Sequence, residues 1–193
     1  MPGDNTQKLY IPKYYHLSKY IEDFKPNIII LPTPGFYGLT ALKKAKEILD
    51  NKLLGNINMI SARVRWCREQ EYYEDGWHGT WKMDGGVVSQ QAIHHLDAIQ
   101  WLSGGVNRVV SHSSNQINKL EAEDTNISLL EFQNGAVGTF EATTSVRPKD
   151  YDAEISIFGS EGFIVVGGLS MNKIIELRSS KIDDCIKIKK QFS

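Results

Sequence analysis

Apolar residues recur along the chain with two different spacings, and the spacing separates helical from extended segments. A helical stripe covers 14–24, and an unbroken apolar run follows at 28–31, as expected for a strand of a parallel sheet that is covered on both faces. A second helical stripe runs from Leu39 to Leu49 and ends at the turn 51–55. Alternation from Ile60 to Trp66 then predicts a strand with one buried face.

The second half of the chain is mostly extended and rich in turn signals. Asn134–Gly135, between two apolar segments, favours a tight hairpin turn, and 159–162 predicts a second one. The segments that we expect to be strands are 106–111, 151–158, 163–166, 172–178 and 184–190, the last as an edge strand with outward lysines. The predicted fold class is α+β, a mostly antiparallel open sheet with packed helices, preceded by a partial αβ unit.

Composition narrows the classes of protein. The formal net charge is −1, from 22 basic and 23 acidic residues, so the chain offers no large basic field for nucleic acid. The apolar run 28–31 is too short to cross a bilayer, and residues 1–8 do not resemble a signal peptide. Cys67 and Cys185 allow one disulfide, but a reduced protein is the simpler interpretation. We therefore predict a soluble, cytoplasmic protein that binds neither nucleic acid nor membrane.

The segment 77–101 carries the most chemistry. It predicts a helix that carries Gln90, His94 and Asp97, and their i, i+4 and i+7 spacing places them on one side of that helix. An amide and a carboxylate beside a histidine can fix its tautomer and tune its pKa, which suits proton transfer. The alternative is that Asp97 merely satisfies His94 as a polar helix residue. The preceding Gly85–Gly86 pair lets the backbone approach whatever lies above the helix start.

His95 follows His94 directly and therefore points to another side of the helix. We expect it to pack or to cap a neighbouring group. Adjacent helical residues diverge and cannot easily share one ion, so no metal site is predicted.

Several motifs agree in order and spacing with a known family. These are 54–57, Gly85–Gly86, 92–97 and 158–162, and together they resemble the Gfo/Idh/MocA oxidoreductases. The segments 66–73 and 77–81, followed by Asp84, look most like the branch that oxidises UDP-N-acetyl sugars at the sugar 3-hydroxyl.

The resemblance also implies a division into domains. It covers roughly 36–180, which corresponds to the C-terminal domain of that family, whereas 10–34 resembles a late piece of its nucleotide-binding domain. The implied domains are therefore 1–35, a remnant of a dinucleotide-binding Rossmann domain, and 36–193, an α+β domain for substrate binding, catalysis and oligomerisation.

Two family motifs are missing from the sequence. No G-x-G-x-x-G turn occurs, although such a turn holds the pyrophosphate of the dinucleotide in this family. The family's Glu-Lys-Pro motif does not follow Thr33–Pro34 either. The sequence reads as a truncated family member, through natural truncation, a gene-calling artefact or a partial chain.

The resemblance implies roles for individual residues. His94 would act as general base toward a sugar hydroxyl, Gln90 would hydrogen-bond the sugar or His94, and Asp97 would orient His94 or the helix. The implied substrate-binding residues are Arg68, Tyr73, Trp77, Trp81 and Asp97. Thr33 and Pro34 would line the nicotinamide side of NAD or NADP. The aromatic residues, Tyr72 included, serve equally well as anchors of a loop, and the nearby Arg63 and Arg65 fit a solvated strand face.

Two functions remain open at this point. The first is an NAD(P)-dependent dehydrogenase acting on a CH–OH group of a sugar or nucleotide sugar. The second is a non-catalytic module that binds sugar or forms a homo-oligomer through its antiparallel sheet.

Overall fold

The structure is a computed structural model that describes residues 33–193, with side chains from Thr40 onward. The predicted helix 14–24 and strand 28–31 lie outside the described residues. The domain division at 35 and 36 therefore stays a prediction.

The first described helix, α1, spans Thr33–Asp50 and begins six residues before the predicted Leu39. Its described apolar stripe, Ala41, Leu42, Ala45 and Ile48, is buried against the sheet, as the spacing predicts. The side-chain amide of Asn51 donates to the Glu47 carbonyl at 2.8 Å and satisfies one of the free acceptors at the helix end.

One seven-stranded sheet organises the described part of the chain. Its strands are β1 Ile57–Arg65, β2 Val106–Ser114, β3 Thr125–Phe132, β4 Val137–Thr143, β5 Asp152–Gly159, β6 Gly162–Gly167 and β7 Lys173–Ser179. Their order is β2-β3-β4-β1-β5-β6-β7. The pair β1–β4 is parallel and the other neighbours are antiparallel. The prediction of a mostly antiparallel sheet is confirmed, and so are both hairpins.

The helices cover one face of this sheet. Alternate residues of the strands, such as Ile60, Phe140 and Ile155, point to that face and pack with α1 and with the second helix, α2 (Ile93–Ser103). The opposite face carries no described helix and includes exposed apolar residues. The fold is therefore the predicted α+β class, with a core between the helices and one sheet face.

The prediction of a strand at 184–190 is wrong, because this segment forms a helix, α3 (Cys185–Gln191). Cys185, Ile188 and Phe192 pack on the core with helical spacing, and that spacing outweighs the local alternation of lysine and isoleucine. The Asp184 carboxylate accepts the Lys187 N–H at 2.8 Å and caps the helix. The lysines therefore lie on a helix and not on a strand edge.

Within the described residues, no helix combines the length and the apolar character needed to cross a bilayer.

Candidate site at the end of strands β1 and β4

The site lies where the parallel strands β1 and β4 end side by side. The chain keeps this pairing beyond β1, because Trp66 N–H donates to Thr143 O and Arg68 N–H donates to Thr144 O, both at 2.9 Å. A short 3-10 helix, Gln70–Tyr73, follows. Parallel pairing thus brings the aromatic segment after β1 next to the residues after β4, an arrangement that no local pattern predicts.

Arg68 lies beside two aromatic rings. Its guanidinium carbon is 5.5 Å from the ring centroid of Trp66 and 5.6 Å from that of Tyr72. Its Nη1 donates to Asp150 Oδ1 at 3.2 Å and to the Cys67 carbonyl at 2.6 Å. Both of these hydrogen bonds come from Nη1, and they do not use Nε or Nη2. The side chain is therefore held in place and keeps donors for an anion.

Arg63 and Arg65, in contrast, lie on the open sheet face in ion pairs. Arg63 contacts Asp152 at 2.5 Å and Glu154 at 3.0 Å, and Arg65 pairs with Glu141. Their alternation on β1 therefore reflects a charged strand face.

A stack of rings continues outward from Tyr72. The His78 ring lies 4.0 Å from Tyr72 and 3.5 Å from Trp77, measured between centroids. Asp75 fixes this stack, since its carboxylate contacts His78 Nδ1 at 2.6 Å and accepts the Trp77 N–H at 3.2 Å. Trp77 is partly exposed at the end of the stack. The rings therefore anchor the loop, and the outer Trp77 still offers surface to a ligand.

The other two aromatic candidates differ in exposure. The Tyr73 hydroxyl hydrogen-bonds Thr144 Oγ1 at 2.7 Å, so this side chain is tied to the segment after β4. Trp81 is 67% exposed, and only its backbone is anchored, through Glu121 at 3.1 Å.

The glycine pair permits a close approach to the backbone, in agreement with the prediction, and the approaching group is Glu123. Gly85 has φ +77°, which favours glycine, and a Cβ at Gly86 would overlap the carboxylate of Glu123. The backbone at Gly86 is therefore packed against Glu123, and this contact explains why position 86 is a glycine.

Gln90 lies before the helix and not on it, so the predicted helical face of three residues is wrong in this respect. Helix α2 begins at Ile93, and 86–92 forms turns in which Gln90 N–H bonds to Gly86 O at 3.0 Å. The Gln90 side chain nonetheless reaches the aromatic segment, because its Nε2 donates to the Tyr72 hydroxyl at 3.0 Å. Burial raises the pKa of Tyr72, which keeps this phenol protonated.

His94 and His95 have opposite environments in the first turn of α2. His94 is exposed to solvent, and Asp97 lies three residues further on. Packing around the ring lowers the pKa of His94, while the charge of Asp97 opposes this shift. A neutral imidazole that meets solvent at neutral pH can accept a proton.

His95 is only 1% exposed and faces the core. Its ring lies 5.9 Å from Trp66 in an edge-to-face contact, and among the described residues neither of its nitrogens has a hydrogen-bond partner. Burial, together with the nearby His94, lowers the pKa of His95 to about 3. The residue is a packing histidine, in agreement with the prediction.

The structure connects the segments of Arg68, Tyr73, Trp77 and Gln90 through ring contacts and a hydrogen bond. His94 follows Gln90 in the first turn of α2. Thr33 and Pro34 lie at the start of α1, where side chains are not described. Sequence reasoning gave no role to Glu123, Asp124 and Thr144, which hold this arrangement together. A carboxylate pair before a strand has no distinctive pattern, so no sequence signal indicated them.

A surface depression of about 530 Å³ lies between the turn 161–163 and the segment 178–186, at the other end of the sheet, and contains none of the predicted site residues. Among the described residues, no group of three His, Cys, Asp or Glu side chains is placed to hold a metal ion.

The described part of the chain is an α+β domain with an open mixed sheet, and a polar, aromatic site lies at one end of that sheet. The model of the GFO/IDH/MocA C-terminal domain matches residues 42–165, and the chain belongs to this family. The family prediction is thereby confirmed. Comparison with curated proteins finds no match.

Solved structures agree with this assignment. The WlbA dehydrogenase from Bordetella pertussis, in complex with NADH and UDP-GlcNAcA, is 34% identical with a TM-score of 0.73, over 77% of this chain and 45% of that chain. The WlbA dehydrogenase from Chromobacterium violaceum, with the same ligands, is 30% identical with a TM-score of 0.77, over 93% and 52%. A levoglucosan dehydrogenase with NADH and levoglucosan shares the fold at 20% identity and a TM-score of 0.68. The chain thus spans about half the length of these proteins.

Proposed function

We propose that this chain forms the substrate side of an NAD(P)-dependent dehydrogenase that oxidises a CH–OH group of a sugar or nucleotide sugar. The observation that carries the proposal is the contrast between His94 and His95: one imidazole meets solvent beside Asp97, close in the chain to Gln90, while its neighbour is buried. The similarity to two WlbA dehydrogenases supports the substrate class.

In this proposal His94 is the general base. Its lowered pKa keeps the imidazole neutral at neutral pH, so a ring nitrogen can take the proton of the sugar hydroxyl. The hydride of the carbinol carbon would pass to the nicotinamide of a bound NAD(P)+. Asp97 stabilises the imidazolium that results and orients the ring. Gln90, which is held by its hydrogen bond to Tyr72, donates a hydrogen bond to the sugar or to His94 and does not itself transfer a proton.

Arg68 and the aromatic residues bind the substrate. The remaining donors of Arg68 suit the pyrophosphate of a nucleotide sugar, because a planar guanidinium donates two parallel hydrogen bonds. Trp77 and Trp81 present ring surface for a sugar or base. Tyr73 forms part of the site surface and is held to the segment after β4 by its hydrogen bond to Thr144.

The dinucleotide does not fit the described residues. The glycines of this part serve its own turns and close contacts, such as Gly86 against Glu123, and no strand is followed by a glycine-rich turn into a helix. Thr33 and Pro34 remain the proposed contacts for NAD or NADP. We expect weak binding of NADH to this chain, and tight stoichiometric binding in a fluorescence titration would contradict that expectation.

Substrate binding can be measured on the chain itself. Calorimetry with UDP-GlcNAcA should show binding that Arg68→Ala weakens by roughly tenfold or more, the effect of losing a charge-assisted hydrogen bond. Arg108→Ala, on the edge strand β2, is the matched control and should bind like the wild type. Equal affinities for all three would remove Arg68 from the substrate site.

The base requires a turnover measurement in a complete relative. In the Bordetella pertussis WlbA dehydrogenase, alanine at the residue aligned with His94 should lower kcat by about 100-fold or more and change substrate affinity little. An unchanged kcat would refute the base assignment.

A second function rests on a separate observation, the open sheet face. This face carries exposed apolar residues on the neighbouring strands β1 to β4, among them Met59, Val110, Ile127, Leu129 and Val137. Exposed apolar patches of this kind mark interaction surfaces. We propose that two copies of the chain associate through this patch, in an enzyme or in a non-catalytic module.

The association can be tested by measuring mass in solution with Leu129→Lys, which should dissociate the oligomer. Val109→Lys, on the other face of the edge strand, is the control. A monomeric wild type would refute the association. Binding of UDP-GlcNAcA with no effect on mass would favour the dehydrogenase over the module.

A further inference from the structure

The segment 115–124, which joins β2 to β3, contacts both halves of the proposed site. On one side, Lys119 exchanges two hydrogen bonds with the Gln70 side chain, at 2.8 and 3.1 Å. On the other side, Ala122 N–H donates to Gly79 O at 3.0 Å. The two halves otherwise belong to separate stretches, 66–73 and 77–94, and this segment bridges them.

Asp124 accepts more hydrogen bonds than the other residues described in the segment 115–124. Its side chain is fully buried, and its carboxylate accepts the backbone N–H groups of Gln116, Ile117 and Asn118 at 2.8, 3.1 and 2.9 Å. It also accepts the hydroxyls of Ser145 at 2.6 Å and Thr125 at 2.9 Å. Five donors around one ionised carboxylate define its position closely.

A chain of hydrogen bonds connects Asp124 to the aromatic wall, by which we mean Tyr72, Tyr73 and the adjacent Arg68. The Asp124 carbonyl accepts the Thr144 N–H at 2.9 Å, and Thr144 Oγ1 in turn bonds the Tyr73 hydroxyl at 2.7 Å. Tyr73 packs edge-to-face with Tyr72 at 5.1 Å. Asp124 thus fixes the wall that contains Tyr72 and Arg68.

Glu123 performs the same task for the turn before α2. Its carbonyl accepts the Val87 N–H at 2.9 Å, and its largely buried carboxylate accepts the Val88 N–H at 3.2 Å. The close packing of this carboxylate on Gly86 leaves no room for a side chain there. Glu123 thus fixes the turn that leads to Gln90 and His94.

The two halves meet at the hydrogen bond from Gln90 Nε2 to the Tyr72 hydroxyl at 3.0 Å and at the ring contact between Tyr72 and His78. We propose that Glu123 and Asp124 are positioning residues of the site: adjacent in the chain, they hold the His94 turn and the Tyr72 wall in register, so that the substrate meets both. This inference rests on the proposed function for its substrate and on the hydrogen bonds for its geometry.

The first test needs no ligand. The titration of His94 is followed by NMR in the wild type, in Glu123→Ala and in Glu123→Gln, which keeps an acceptor for the Val88 N–H. If Glu123 positions the turn, Glu123→Ala should move the His94 midpoint toward the ordinary histidine value as the packing around the ring loosens, and Glu123→Gln should restore it. A lower Tm with an unchanged midpoint would show a purely structural role and overturn the proposal.

The second test measures affinity for UDP-GlcNAcA by calorimetry. Ser145→Ala removes one hydrogen-bond donor to Asp124 and leaves the other four in place, so the buried carboxylate keeps partners. The variant should bind UDP-GlcNAcA a few-fold to about tenfold more weakly than the wild type. Ser128→Ala, a buried serine on β3 bonded to Ser111, is the matched control and should bind like the wild type. Equal losses in both variants would overturn the proposal.

The two tests separate the failures. A wild-type chain that does not bind UDP-GlcNAcA contradicts the proposed substrate, and the His94 titration still decides whether Glu123 positions the site. Hydrogen exchange at 116–118 in Asp124→Asn, compared with Asp184→Asn at the α3 cap, provides the equivalent measurement for Asp124. Unchanged protection at 116–118 would overturn its part of the proposal.

Discussion

The buried imidazole of His95 should make the protein lose stability well above the pH at which most carboxylates titrate. In the folded state the pKa of His95 is lowered from its ordinary value of 6.5 to about 3, with burial as the main cause. The unfolded chain therefore takes up a proton below about pH 6.5, whereas the folded chain does not until about pH 3. Stability should fall as the pH decreases between these values.

The size of the effect follows from the two pKa values. At about pH 4.5 the unfolded state is favoured by about two pK units, which corresponds to about 3 kcal/mol relative to neutral pH. For a domain of this size, such a loss lowers the Tm by roughly 5 to 10 °C. His95→Leu removes the titrating group, replaces it with a side chain of similar volume and removes two buried nitrogens without partners.

The assay is urea unfolding of the wild type and His95→Leu at about pH 7 and about pH 4.5, conditions under which other titrating groups contribute equally to both proteins. The free energy of unfolding should fall by about 3 kcal/mol more in the wild type than in His95→Leu. His112→Leu, at an exposed position on β2, is the control and should follow the wild type. Identical pH dependence in wild type and His95→Leu would refute the reasoning.

Three further predictions concern stability. Burial alone would raise the pKa of Asp124, but hydrogen bonds from Ser145 and from the backbone at 116–118 lower it, so its stabilisation is present above its ordinary value of 3.8 and is lost as the pH falls below that value. Asp124→Asn should therefore cost about 2 kcal/mol at neutral pH and flatten the acid limb below about pH 4, and a variant as stable as the wild type in urea unfolding would contradict this. Gly135→Ala should cost about 1 kcal/mol through its φ of +86° alone, because a Cβ there meets no atom within 4 Å; an unchanged Tm would show that the turn relaxes. Asp184→Ala should cost about 1 kcal/mol by removing the cap of α3, which circular dichroism during thermal unfolding would detect, whereas Asp183→Ala should not.

Local patterns predicted most of the sheet because its turns and its alternation are encoded within a few residues. Asn134–Gly135 and 159–162 each close a hairpin between adjacent strands, so the sequence on either side of the turn carries the whole signal. The strand prediction for 184–190 failed because lysine and isoleucine alternate there, while the contacts that decide the structure come from Cys185, Ile188 and Phe192 on the core. When the apolar pattern of a short segment fits both a strand and a helix, the segment adopts the structure that packs better on the core.

The candidate site shows the same division. The motif around His94 was visible in the sequence, and so was the aromatic segment after β1, since each lies within one stretch of chain. Their placement was not, because Gln90 reaches Tyr72 from a turn that Glu123 holds and not from the helix face. A hydrogen bond between residues 35 positions apart leaves no periodic trace in either segment.

By itself, the sequence determined most of the helical and extended segments, the apolar face of each of these, and which residue types are available for proton transfer and for binding anions or rings. Only the tertiary structure decided that β1 and β4 run parallel, that one of two consecutive histidines meets solvent while the other is buried, and that Glu123 and Asp124 join the two halves of the site. The physical reason is range: propensity and periodicity act over a few residues, whereas strand order, burial and side-chain hydrogen bonds depend on which distant segments the folded chain brings into contact.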